Sequence, residues 1–163
     1  MTLYLDTETT GLKYPNDDLV EVALIDEDGQ RLLDTLCRPS EHCMLRGWAT
    51  AQSIHGIGPD QVADAPPSDE VRLEVERLVQ GQELVIYNAR FDLGFFSSPL
   101  PANDVNCAML AAQRFFDWYK WPKLVEAAEW IGYDWDIEGI PPHRAAGDAL
   151  ATRAVWQYMF VRE

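Results

Sequence analysis

Leu3-Tyr4-Leu5-Asp6-Thr7-Glu8-Thr9-Thr10-Gly11-Leu12 begins as an apolar run and ends on two carboxylates spaced two residues apart. An extended chain turns alternate side chains to opposite faces, so Asp6 and Glu8 leave the same side. Ionised carboxylates at the end of a buried run are costly unless cations or hydrogen bonds compensate them. The stretch reads as a core strand, from Thr2 to Asp6, whose end serves a shared polar site.

Outward from it, Leu19 to Ile25 and Arg31 to Cys37 read as two strands of a hairpin. Between them Asp26-Glu27-Asp28-Gly29 lacks the later ligand positions of a calcium loop and reads as a turn, with Gly29 supplying the positive φ. After Pro66 and Pro67, Ser68 suits a helix N-cap, and Asp69 and Glu70 suit the positive helix start. The stripe Val71, Val75, Leu78 and Val79 follows helical spacing, and Gly81 is placed to end the helix. Leu84 to Tyr87 is a short buried strand, and another lies near Val105. Ala108 to Phe116, Pro122 to Ile131 and Ala145 to Phe160 have helical character. Strands first, then strands alternating with helices, predict an α/β fold with a mixed sheet. The 163 residues suit one domain, residues 1–163.

Apolar residues make up 47% and charged residues 25%, which excludes a disordered or fibrous chain. No apolar run approaches the ~20 residues that span a bilayer, and the N-terminus lacks a signal peptide's basic segment. Three cysteines without a CxxC pair argue against a disulfide framework and a thiolate zinc site. A cytoplasmic protein without a membrane partner is expected. With 13 basic and 27 acidic residues the net charge is −14, which disfavours non-specific binding to phosphate backbones. The acids at Asp17, Asp18 and Glu21, at Asp26 to Asp28, and at Asp134, Asp136 and Glu138 read as solvated faces or turns.

Two further acids stand on apolar surfaces. A helix starting near Ala89 places Asp92 on the face of Phe95 and Phe96. Asp148 begins the stripe Ala151, Val155, Tyr158 and Met159. Asp6, Glu8, Asp92 and Asp148 are either four separate structural acids or one converging set. The sequence-local cations are few: Lys13, Arg90 and Arg144. If the acids converge, their hard oxygens suit Mg²⁺ or Mn²⁺, and two ions ~4 Å apart serve in-line phosphoryl displacement. His143 precedes Asp148 by five residues, about 140° around a helix. Pro141 and Pro142 would keep it in the loop before the helix, overhanging the site, where an imidazole suits a general base. His42 reads as a surface residue.

LYLDTETTGL at 3–12, LVIYNARFD at 84–92 and HRAAGDA at 143–149 together resemble the three motifs of the DEDDh 3′-to-5′ exonucleases. The likeness is greatest to the DnaQ-like group of polymerase III epsilon proofreading subunits and exonuclease X. SIHGIG at 53–58, the helix after Pro66-Pro67 and PKLVEAAEWIG at 122–132 are similar to that family too. The resemblance implies an RNase H-like fold, a central five-stranded mixed β-sheet flanked by α-helices. It implies that Asp6, Glu8, Asp92 and Asp148 ligate two Mg²⁺ ions, with Mn²⁺ able to substitute, and that His143 is the base. It maps terminal-nucleotide contacts onto Thr9, Thr10, Leu12, Ile54, His55, Asn88 and Phe91, with Leu12 as a wedge between the last two bases.

Two places depart from the pattern: Tyr87 where a His is usual, and Asn106-Cys107 in place of a frequent Asp-Thr pair. The chain ends soon after its last helix, so a partner held through an epsilon-type C-terminal extension is not expected. The expected activity is two-metal 3′-to-5′ hydrolysis of single-stranded or frayed DNA ends to nucleoside 5′-monophosphates, and a protein partner that delivers substrate to so acidic a chain is one expectation. An RNA-directed trimmer of the same family and a catalytically silent binding module are the alternatives. Trp118, Tyr119 and Trp121, beside Lys120 and Lys123, have the composition of a base-stacking surface, but core packing is the expectation for each.

Overall fold

The structure, a computed structural model, describes residues 1–137 and 139–160. Five strands build one sheet: β1 (Thr2–Thr9), β2 (Leu19–Ile25), β3 (Arg31–Leu36), β4 (Glu83–Ile86) and β5 (Asp104–Cys107). Their order is β3-β2-β1-β4-β5. The first three form an antiparallel meander, and β4 and β5 run parallel to β1. Parallel pairing needs a long crossover, here α1 (Glu41–Arg46), α2 (Ala49–His55), α3 (Pro59–Val62) and α4 (Ser68–Val79). After β4 come α5 (Ala89–Leu93), then β5, α6 (Ala108–Phe115), α7 (Leu124–Trp130) and α8 (Ala145–Phe160). No helix among the described residues is long and apolar enough to cross a membrane.

The alternation of β1 explains the two layers. Leu3 and Leu5 face α4, joining Val71, Val75 and Val79 with Leu84, Ile86 and Phe95. Tyr4 faces the other way, with Val85, Ala108, Ala127 and Val155 of the α6 to α8 layer. Burying each such aliphatic side chain contributes about 1.5–3 kcal/mol. By the same parity Asp6 and Glu8 follow Tyr4 toward α8. That helix lies close against the sheet because Ala145, Ala146, Gly147, Ala149 and Ala151 present little bulk. Gly29 has φ +86° in the hairpin turn, where the Asp28 and Gln30 amides both donate to Asp26 Oδ1.

Several local expectations are corrected. β1 continues to Thr9, carrying both its carboxylates within the sheet. Ser68 does not cap α4 but opens it: its hydroxyl donates to Asp18 Oδ2 at 2.7 Å and accepts from Arg72 Nη1 at 3.2 Å. Asp18 and Glu21, expected in solvent, are each 3% exposed, because Arg72 of α4 and Arg144 of the loop before α8 reach them from far along the chain. α5 stops at Leu93, so Phe95 and Phe96 enter the core beyond its end. Tyr158 is exposed and stacks on Phe116, instead of joining the buried stripe of α8. Asp134 and Asp136 are exposed, as expected, while Glu138 lies outside the described residues.

The loop before α8 rests on Gly147. A Cβ there would stand 2.7 Å from the Pro141 carbonyl oxygen and 3.0 Å from Ile140 Cγ2, so any side chain displaces the backbone that carries His143. Gly147→Ala is expected to destabilise by about 1–3 kcal/mol, read as a lower urea midpoint. An unchanged midpoint would mean that the loop does not depend on this approach.

Candidate active site

β1 delivers Asp6 and Glu8, and the first turn of α8 delivers Asp148. One carboxylate oxygen from each lies within 4.8 Å of the other two. Asp92, on α5 just beyond β4, stands beside this trio and accepts a 2.7 Å hydrogen bond from Thr7 Oγ1. Asp6 and Asp92 are buried, Glu8 and Asp148 half-buried. Asp6 Oδ2 has no hydrogen-bond partner, an orphaned buried acceptor of the kind that calls for an ion or water.

The cost of this crowding shows in the titration of all four groups. Burial, then the charges of Asp148, Asp92, Glu8 and Glu21, holds Asp6 well above the usual carboxylate range. Burial and the charge of Asp148 push Glu8 up to about 9. Burial lifts Asp92 to about 7 against the Thr7 hydrogen bonds, and Asp148 to about 6 against the His143 amide. None of the expected local cations forms an ion pair with them, and only the charge of Arg144 weighs against the rise of Glu8. Arg144 is spent on Glu21, with Nη2 to Oε1 at 2.7 Å, and Lys13 and Arg90 make no ion pair among the described residues. An all-oxygen donor set with raised pKa values and an unsatisfied oxygen fits a hard divalent cation.

His143 sits in the turn before α8 with an exposed side chain and φ +63°. Its backbone amide donates to Asp148 Oδ1 at 3.0 Å, which ties the loop to the acid while leaving the imidazole toward solvent. Two clefts meet at this edge. One of 430 Å³ is lined by Leu12, Lys13, Asn88, Arg90, Phe91 and Trp121. Another of 530 Å³ is lined by Asn88, Trp121, Lys123, Leu124, His143 and Asp148. A larger hollow of 640 Å³, beside Tyr14, Arg38 and Ser40, holds none of the four acids, and its ionic wall is already closed by the Arg72–Asp18 pair.

The remaining candidates divide. Leu12 is 78% exposed and Ile54 57%, with no apolar cover, and Asn88 and Phe91 line a cleft. Thr9 and Thr10 are buried and turn their hydroxyls inward, to the Gly11 carbonyl at 2.6 Å and to Asp17 Oδ1 at 3.3 Å. His55 is buried, with Nε2 2.9 Å from the Thr9 carbonyl oxygen and Nδ1 accepting from the Ile57 amide at 3.0 Å. That arrangement needs a neutral ring with its proton on Nε2, and burial duly lowers its pKa; His55 pins the end of β1. Sequence reading passed over Glu21, which pairs across the sheet with Glu8 and whose charge raises Asp6 and Glu8. Its position inside the apolar run Leu19–Ile25 was the available signal.

The RNase T family profile, described as Exonuclease, matches residues 3–156. The uncharacterized exonuclease CP81 of Escherichia phage 186 is 31% identical over 172 residues, covering 94% of this chain and 84% of the phage protein. DNA polymerase III subunit epsilon of Escherichia coli is 32% identical over 102 residues, 57% of this chain and 40% of the subunit; the chain thus spans less than half of that relative. The structure of exonuclease X in complex with 5′ overhanging duplex DNA matches with a TM-score of 0.78 at 27% identity, over 98% of this chain and 90% of that one. The shared fold is RNase H-like, a five-stranded mixed sheet flanked by helices. With a profile that runs from β1 into α8, the chain belongs to the RNase T exonuclease family, in its DnaQ-like group.

Proposed function

We propose that residues 1–163 form one DEDDh exonuclease domain that shortens single-stranded or frayed DNA from the 3′ end, in the cytoplasm, releasing nucleoside 5′-monophosphates. The observation that carries this reading is the cluster of buried and half-buried carboxylates from β1, α5 and α8, none of which is in an ion pair among the described residues. A solved complex of the similar exonuclease X with overhanging duplex DNA supports the polymer class. Asp6, Glu8, Asp92 and Asp148 would hold two Mg²⁺ ions, with Mn²⁺ as substitute; bound, the ions supply positive charge to the attacking and leaving oxygens of an in-line displacement.

The chain's own groups do the rest. A ring nitrogen of His143 takes the proton of the attacking water from the open side of the site, and the His143 amide holds Asp148 in place. Exposed Leu12 separates the last two bases, and Asn88 and Phe91 line the cleft that receives the end. The net charge of −14 keeps duplex interiors away, so contact is confined to the 3′ end, and a protein partner that delivers substrate would offset the repulsion.

The deciding assay is 5′-labelled single-stranded DNA with Mg²⁺ against EDTA. A ladder shortened from the 3′ end in Mg²⁺ alone is expected, and shortening indifferent to chelator would end the proposal. Asp6→Asn should lower kcat at least ~10³-fold while raising the Tm of metal-free protein above pH ~7, since it removes a buried acid that the fold must hold protonated. His143→Ala should lower kcat by about 10²–10⁴-fold while leaving the Mg²⁺-induced rise in Tm intact; an equal loss of that rise would make His143 structural.

The raised pKa values also set a pH dependence. Folding lifts these acids above their unfolded values, so the folded chain binds more protons, and metal-free stability grows as pH falls from about 9 through about 6. Divalent ions prefer the ionised acids, so the Mg²⁺-induced Tm rise should be greater at pH 9 than at pH 6. At a hundredfold excess over Kd it should reach roughly 5–10 °C. Thermal unfolding with and without EDTA reads it directly, and a rise that shrinks with pH would refute the electrostatic account.

A further inference from the structure

Trp121 is 60% exposed and is the side chain, with Asn88, that lines both clefts of the acidic edge. Trp118, three residues earlier, is packed edge-on against Trp130 at 4.8 Å. Trp121 has no such ring partner among the described residues.

The backbone on either side of Trp121 is clamped. Lys120 Nζ reaches Glu126 Oε1 at 2.9 Å, and the same carboxylate accepts from the Lys123 amide at 2.7 Å. The carbonyl of Pro122 accepts from the Tyr87 hydroxyl at 2.9 Å. Tyr87 occupies the motif position where the family usually has His, so this departure has a local purpose: it ties the strand beside the site to the loop bearing the indole. A side chain presented on a backbone so fixed loses little entropy on binding.

Charge marks the same place. Six described cations lie in ion pairs: Arg31, Arg46, Arg72, Arg77, Lys120 and Arg144. Among the cations that lie in none are Lys13 and Arg90, which line the first cleft, and Lys123, which lines the second. Six described cations lie outside ion pairs, and three of these flank one exposed indole.

We infer that Trp121 is a stacking platform for a base of the single-stranded substrate, with Lys13 and Arg90 on one side and Lys123 on the other taking backbone phosphates, and that Tyr87 is its positioning residue. This rests on the proposed activity and deepens it. Stacking on an aromatic face is sequence-tolerant, and it is open only to bases free of a duplex. The platform therefore selects unpaired ends and leaves base identity unread.

The test is steady-state hydrolysis of a single-stranded thymidine oligonucleotide in Mg²⁺, paired with quenching of tryptophan fluorescence by the same oligonucleotide in EDTA. Trp121→Ala should raise KM about tenfold with a much smaller change in kcat, and Trp121→Phe should recover most of the loss. Tyr87→Phe should raise KM by less. Lys123→Gln should flatten the salt dependence of KM by roughly one unit of slope. Hydrolysis with an unchanged KM in Trp121→Ala overturns the inference and leaves the activity standing. Quenching by the wild type that Trp121→Ala loses, without hydrolysis of the oligonucleotide, overturns the activity and leaves the platform standing. Neither quenching nor hydrolysis by the wild type overturns both.

Discussion

Mutual repulsion among carboxylates withdrawn from water is the constraint around which this protein is arranged. Asp6, Glu8 and Asp148 bring oxygens within 4.8 Å of one another, with Asp92 alongside, and Glu21 adds a fifth negative charge nearby. Each ionised group raises the cost of the next. A folded chain tolerates this only because rigid elements hold the groups: a central strand covered on both faces and a helix packed flat against it. The nearest guanidinium, Arg144, could have relieved the site but is bound to Glu21 by both guanidinium and backbone contacts of its segment. The arrangement withholds internal cations from an oxygen cage, which is the condition under which divalent ions bind.

The same packing sets the reach of the loop before α8. Small residues let the helix approach the sheet, and the absence of a side chain at Gly147 lets the Pro141 carbonyl lie on its first turn. His143 then adopts a left-handed conformation, uncommon for a residue with a Cβ, and its amide engages Asp148. Backbone and carboxylate are thus coupled at the proposed site of proton transfer, while the imidazole is left free to meet a water.

Away from the acids, the surface answers an opposite need. In a strongly acidic protein the cations outside ion pairs are the groups left to meet a polyanion. Lys13, Arg90 and Lys123 line the clefts that meet at Asn88 and Trp121, and the Tyr87 hydroxyl fixes the loop between them. In contrast, Arg72 is consumed by an internal network with Asp18, Ser68 and the Phe95 carbonyl that joins α4 to β2 and the α5 end. Its role is architectural.

What the sequence by itself determined was local and periodic. The five strands, the helices from Ser68 onward, the hairpin turn at Gly29, the common face of Asp6 and Glu8, and the place of Asp148 on an apolar surface follow from spacings of two and about 3.6 residues, whereas α1, α2 and α3 were not read from the sequence. Three ordered motifs carried the family. Tertiary structure alone decided which charges find partners. Glu21 and Arg144 lie 123 positions apart and Asp18 and Arg72 lie 54 apart, so no local pattern announces which guanidinium each acid meets. Nor does it announce that Trp118 is packed while Trp121 stands in solvent, since burial of an aromatic depends on which helix arrives to cover it. Convergence of the four acids is a property of the same kind: each spacing places a carboxylate on a face, and only the closing of α8 against β1 makes those faces one site.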